Sequence, residues 1–273
     1  MPLDHHREVN RANWDSRVDN HYASELYGLD RFIQDPGFIG EVVSFDAKKM
    51  ADVAGKSLIH LQCHIGTDTL GLARLGADVT GVDFSTKSIE AAQRFSSECG
   101  TPGRFVVSEL YDVSSVLPET FDIVYTGVGA ICWLPDIRGW ARVVSSLLNN
   151  GGFFYMRECH PIVWTLDDER DDDLIVVKYP YFEQSDPQEF SEDTTYTEGG
   201  KLSSPETFDW NHGMAEVLQA LIDAGLRIDE IDEYDSLEWP TGPINELGED
   251  GRFRLAEGRE RLPLMWSVLA TKV

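Results

Sequence analysis

Apolar and polar positions along this chain fall into blocks whose period changes abruptly. Residues 8–26 carry aromatic and aliphatic side chains at helical spacing and predict a helix, and Pro36-Gly37 breaks the chain after it. A second helix is expected over 38–53, ending at Gly55. A short apolar run at 57–62 then predicts a buried strand that leads into a turn. The pattern continues with a helix at 69–75 closed by Gly76, a strand at 78–82, and a helix from the Ser85 cap to Glu98. Strands are expected at 104–107 and 121–126, the latter apolar throughout as in a strand covered on both faces. An amphipathic helix at 136–148 ends at Asn149-Asn150-Gly151-Gly152, and a fifth strand follows at 153–157. From Pro161 to about Asp209 the chain turns acidic and aromatic, which predicts an inserted cap with short strands, since a structureless loop of that length is improbable. A helix at 214–224, stopped by Gly225, a strand at 226–233 and a last strand at 264–272 complete the pattern.

Strand, tight turn, helix, and a second strand ending on Asp83 make half of a doubly wound nucleotide-binding fold. A carboxylate at that strand tip, about 20 residues beyond the turn, suits the two hydroxyls of an adenosine ribose. Which adenosine cofactor it serves stays open at this level. A pyrophosphate would call for a GxGxxG turn, and the turn here, Gln62-Cys63-His64-Ile65-Gly66, lacks it.

Composition narrows the choice. A chain of 273 residues accommodates one α/β domain with a modest insertion. The formal net charge of −25 disfavours nucleic acid and anionic lipid, which bind through Lys and Arg. It is read as a solubilising acidic surface; a halophilic source is the other reading. No apolar run approaches the ~20 residues that span a bilayer, and Met1–Glu8 lacks the apolar core of a signal peptide, so a soluble cytoplasmic protein is expected. Four scattered cysteines, none in CxxC spacing, predict free thiols.

The order of elements resembles the class I S-adenosylmethionine-dependent methyltransferases. The likeness rests on the turn ending in Gly66, on Gly81-Val82-Asp83-Phe84-Ser85, on Val107-Ser108-Glu109-Leu110 and on Pro118-Glu119-Thr120-Phe121-Asp122-Ile123-Val124-Tyr125. It covers 56–160 well and 211–273 loosely. In the turn only the last of the family's glycines remains; Gln62 and His64 stand at the others, as in bacterial small-molecule methyltransferases with a Cys-His-x-Gly-x-Asp-Thr turn. The resemblance implies a Rossmann-like seven-stranded sheet ending in a reversed hairpin. It further implies a helical N-terminal lid at 1–55, a cofactor core at 56–160, an inserted substrate cap at 161–210 and a return to the sheet at 211–273.

By the same resemblance, Asp83 takes the ribose hydroxyls, Phe84 covers one adenine face, Ser85 is a further cofactor-binding candidate, and Glu109 and Leu110 meet the adenine, with Asp112 as a competitor for Glu109. Gln62 and Gly66 lie along the methionine moiety, with Cys63 a further cofactor-binding candidate and His64 either touching the cofactor or filling the turn. Asp68 and Thr69 lie near its carboxylate or amino group, and Thr126 and Gly127 line the methionine tail and the substrate mouth. Trp14, His21 and Tyr22 belong to a segment that folds over the cofactor. His160 and His212 are candidate general bases near neutral pH; local hydrogen bonding is the other reading for each, and a base is not obligatory. His60, Cys63, His64, Cys159 and His160 resemble a zinc ligand list, but they come from separated strands and no metal is expected. The acidic runs read as solvated surface or, alternatively, as an attraction for a cationic amine. The expected activity is methyl transfer to an O, N or C nucleophile of a small molecule, by a monomer or homodimer, with S-adenosylhomocysteine as product. The alternatives are an NAD-linked oxidoreductase and a non-catalytic protein that binds S-adenosylmethionine.

Overall fold

The computed structural model describes residues 4–167, 169–170, 172, 174–240, 245–256 and 262–273. Helix α1 (His5–Ala23) starts at Asp4, whose side chain accepts from the Arg7 backbone N–H and satisfies one of the otherwise orphaned amides. Gly28, at φ 65°, separates a short 3-10 turn from α2 (Leu29–Gln34). The helix expected over 38–53 is only α3 (Glu41–Asp46). Turn hydrogen bonds such as Lys49 N–H to the Asp46 carbonyl carry the chain onward, so Met50 and Val53 reach the core at near-helical spacing without a helix.

The core then runs β1 (Ser57–Leu61), α4 (Thr67–Arg74), β2 (Asp78–Asp83), α5 (Thr86–Glu98), β3 (Arg104–Val107), α6 (Val113–Val116), β4 (Phe121–Thr126), α7 (Ile137–Leu147) and β5 (Leu148–Cys159). Strand β5 is longer than its apolar pattern predicts. Gly151, at φ 78°, lets 148–152 join the strand at a register shift where the sequence reads as a stop. After the segment that holds β6 (Gln188–Ser191) and β7 (Glu206–Asp209), the chain returns through α8 (Met214–Asp223) and β8 (Leu226–Tyr234). A second excursion, absent from the sequence reading, forms a small sheet from β9 (Ser236–Leu237), β10 (Asn245–Leu247) and β11 (Phe253–Leu255), and β12 (Met265–Lys272) closes the fold.

The main sheet has seven strands in the order β3-β2-β1-β4-β5-β12-β8, and β12 runs antiparallel to both neighbours. Alternate residues of each strand feed opposite faces. Ile59, Leu61, Val124 and Phe154 pack with α7 and α8, while Leu58, Ile123, Tyr125 and Tyr155 pack with α3 and α4. The connection order reverses between β1 and β4, and the crevice outside the carboxyl ends of these strands is where this architecture binds ligands. Two segments cover that crevice. Helix α1 lies on β7 through a reciprocal amide pair: Asn10 Nδ2 donates to the Phe208 carbonyl at 2.7 Å, and the Phe208 N–H donates to Asn10 Oδ1 at 2.8 Å. Asn13 and Asn20 add bonds to the carbonyls of Ser204 and Gly200. Among the described residues no helix is long and apolar enough to cross a membrane.

Candidate functional site

The crevice opens into a cavity of about 540 Å³. Its floor is the turn after β1, the tip of β2 and the loop after β4; Trp14, Arg17, Tyr27, Trp164, Tyr179, Phe190, Tyr196, Asp209, Glu238 and Trp239 wall it, with the Tyr27 and Tyr196 hydroxyls 2.5 Å apart. A side lobe of about 30 Å³ shares Gln62, Asp83, Phe84 and Trp133 with it and ends on Ser108, Glu109, Leu110 and Leu134.

Asp83 stands where the two lobes meet. Its Oδ2 accepts the His64 backbone N–H at 2.9 Å and its Oδ1 the Ser85 N–H at 2.8 Å. Burial pushes this carboxyl up to about 6, against the pull of those amides. Asp68, in the first turn of α4, faces the large lobe. Burial and the charge of Asp46 lift it to about 7, with Arg157 pulling the other way.

The turn retains the backbone path of glycine without the glycines. Gln62 (φ 57°) and His64 (φ 49°) both hold left-handed conformations, which cost on the order of 1 kcal/mol each for residues with a Cβ. Their side chains make contacts that glycine could not. Gln62 Nε2 donates to the Ala130 carbonyl at 2.9 Å and so ties the turn to the loop after β4, while its Oε1 is buried without a partner. His64 Nδ1 lies 3.0 Å from Ser88 Oγ, and its Nε2 lies 2.8 Å from His21 Nδ1. His21 Nε2 in turn meets Thr195 Oγ1 at 2.8 Å. Burial holds both rings below the usual range, His21 near about 3, so they exchange hydrogen bonds as neutral imidazoles. The core turn, α1 and the segment after β6 are thereby joined through one chain of polar contacts. Gly66 is required outright, since at φ 80° a Cβ would lie 2.8 Å from the Phe105 ring.

Of the residues singled out in the sequence, Trp14, Gln62, Cys63, His64, Asp68, Asp83, Phe84 and Gly127 line the large lobe, and Glu109 and Leu110 the small one. Glu109 is already engaged: Oε1 pairs with Arg7 at 3.0 Å and Oε2 accepts the Tyr111 N–H at 2.7 Å. Others stand behind the walls. Thr69 holds His60 Nδ1 at 2.9 Å, Ser85 Oγ donates to Asp15 at 2.6 Å, and the Thr126 hydroxyl is buried without a partner. Tyr22 points to the α5 surface, donating to Glu98 at 2.6 Å under Arg94; Tyr27 takes the cavity position instead.

Neither candidate base reaches the cavity lining. His160 Nε2 pairs with Glu233 on β8 at 3.1 Å, and its Nδ1 accepts the Ile162 N–H. His212 faces Glu183 and the Leu134 carbonyl, each at 2.8 Å, so both of its nitrogens point at acceptors. Among the described residues no cluster of three or more His, Cys, Asp or Glu could hold a metal ion.

Four contributors lie outside the sequence reading. Arg17, expected only as part of a helix, faces the cavity with its guanidinium over the rings of Trp14 and Trp133. Asp209, at the end of the strand packed against α1, lines the same cavity. Glu158, at the end of β5, accepts the N–H groups of Gly129, Ala130 and Ile131 and fixes the loop after β4. Arg157, fully buried, pairs with Asp46 at 2.5 Å and with Glu238 at 3.0 Å. Consecutive charges closing an otherwise apolar strand, Arg157-Glu158, were the available signal, because buried charges are nearly always paired.

The strand order, with its crevice at the switch point, is that of the class I methyltransferase fold. Residues 59–154 match the family model described as a methyltransferase domain. The chain is similar to the ubiquinone biosynthesis O-methyltransferases of Chromobacterium violaceum, at 32% identity over 38% of this chain and 45% of that one, and of Photorhabdus laumondii, at 26% over 41% and 47%. It thus spans just under half the length of these curated relatives. Among solved structures, an S-adenosylmethionine-dependent methyltransferase from Mesorhizobium loti shares the fold with a TM-score of 0.60 at 20% identity, over 86% of this chain and all of that one. The glycopeptide N-methyltransferase MtfA complexed with S-adenosylmethionine does so with a TM-score of 0.55 at 18% identity, over 85% and 92%. The resemblance read from the four sequence segments is borne out, and the oxidoreductase alternative is set aside.

Proposed function

We propose that this protein is an S-adenosylmethionine-dependent methyltransferase acting on a small molecule. The observation that carries the reading is the buried Asp83 carboxylate at the junction of two lobes, one narrow beside Glu109 and Leu110, one wide and aromatic. When bound, S-adenosylmethionine supplies a methyl group already activated on a sulfonium. The residues present fit it. Asp83 would accept from the ribose hydroxyls, with Phe84 and Trp133 beside them. The orphaned Gln62 Oε1 and the Asp68 carboxyl offer acceptors to an amino group. The narrow lobe would take the adenine, with Glu109 reaching its amino group only as Arg7 yields.

The remaining work of the chain is alignment: the wide lobe holds the acceptor's nucleophile in line and excludes water, which can supply most of the acceleration for an activated electrophile. Ubiquinone biosynthesis O-methyltransferases among the relatives and a glycopeptide N-methyltransferase among the structures support a small-molecule acceptor with an O or N nucleophile. In the same reading 1–55 and 161–210 act as lid and cap on a core formed by 56–160 and 211–273. In the same reading the protein is cytoplasmic and works as monomer or homodimer, and its acidic charge speaks against a nucleic-acid substrate. Calorimetric titration tests this: micromolar binding of S-adenosylmethionine and S-adenosylhomocysteine with none of NADH is expected, and absence of adenosyl binding would overturn it.

A further inference from the structure

We propose that the methyl acceptor carries a protonated amine, which docks against Asp209 and Glu192 among the rings of Trp133, Tyr179 and Phe190. The inference rests on the methyltransferase reading of the same cavity and names its acceptor class.

Charge balance is the first argument. Eight carboxylic acids and two arginines line the large lobe. Three of the acids are paired, Glu41 with Arg31, Glu169 with Lys178 and Glu238 with Arg157, which leaves five acids against Arg17. The Arg17 Nε donates to Asn13 at 2.6 Å, and its guanidinium lies 5.1 Å from the Trp14 ring and 5.7 Å from Trp133. An anionic acceptor would enter against an excess of like charge, whereas a cation would meet complementary potential. Asp209 is the second argument. It ends β7, lines the lobe, and has Oδ1 buried with no hydrogen-bond partner. A buried acceptor left unsatisfied is costly, and a ligand N–H removes that cost. Burial raises this carboxyl to about 7; the Arg17 charge opposes the shift and Glu192, at the mouth, adds to it. A cation placed between Asp209 and Glu192 would relieve their mutual repulsion. The third argument is the wall itself, because aromatic faces attract cations, most of all where water is excluded.

The test uses the full chain saturated with S-adenosylhomocysteine. Phenethylamine and tyramine are titrated against their matched acids, 3-phenylpropanoate and 3-(4-hydroxyphenyl)propanoate, following heat and tryptophan fluorescence. The amines should bind at least about tenfold tighter than the acids, a difference of about 1.4 kcal/mol. Asp209→Asn should erase that preference while leaving S-adenosylhomocysteine affinity unchanged, which also reports an intact fold; Glu192→Gln should reduce it less. Tighter acids, equal affinities, no amine binding, or an amine preference that survives Asp209→Asn would overturn the proposal. If S-adenosylhomocysteine binds in the same experiment, such a result fails the amine alone; if it does not bind, the methyltransferase reading falls and this inference with it.

Discussion

Burial lifts the Asp83 carboxyl to about 6. The unfolded chain loses this proton near the ordinary carboxylate value of 3.8, the folded chain near about 6. The folded state therefore keeps more protons between these values. The group's contribution to folding stability is fully present below the lower one and is lost as pH rises through the upper. Ribose hydroxyls donate to the ionised form, so ligand affinity should move the opposite way. Binding of S-adenosylhomocysteine is expected to tighten as pH rises from 5 through about 6, and Asp83→Asn should weaken binding and remove that limb of the profile; an unchanged profile would sink the assignment. Asp83 was legible in the sequence because strand position alone places it. Arg17, Asp209 and Glu158 were not. A polar residue in a helix or at a strand end reads as solvated until tertiary contacts close over it, and Asp209 is a cavity residue only because β7 is laid against α1.

At the scale of elements, strands β1, β2 and β4 follow their hydrophobic runs closely, because a strand buried on both faces has little else it can be. The pattern fails where backbone conformation decides. Gly151 carries the chain into β5 through a register shift instead of separating helix from strand, and the three strands of the second small sheet are only two or three residues long, too short for any period to register. The turn after β1 behaves likewise: Gln62 and His64 read as a departure from the glycine pattern, yet their φ angles preserve it. Attachment of α1 to β7 through Asn10 is equally invisible in sequence and readily checked. Asn10→Ala should leave the Phe208 N–H unpaired and cost about 1–3 kcal/mol. Amide hydrogen exchange should then quicken in α1 and in β7 together; faster exchange in α1 alone would show that the two are not coupled.

Across the whole molecule, a net charge of −25 means that folding gathers like charges against their repulsion. Salt bridges such as Lys49 with Glu230 and Asp232 offset a small part of it. Screening should therefore stabilise the protein: Tm is expected to rise by several degrees from about 10 mM to about 300 mM NaCl, where the screening length falls well below 10 Å. A Tm that falls over this range would show that attractive pairs dominate instead. The union of α1 with the β6–β7 hairpin, through Asn10, Asn13, Asn20 and the His21–Thr195 contact, has a consequence for turnover. Both segments line the wide lobe and are stitched to each other, so an opening on that side is expected to move them as one piece. The expected consequence is a single door for two guests, with the spent cofactor and the methylated product leaving during the same opening.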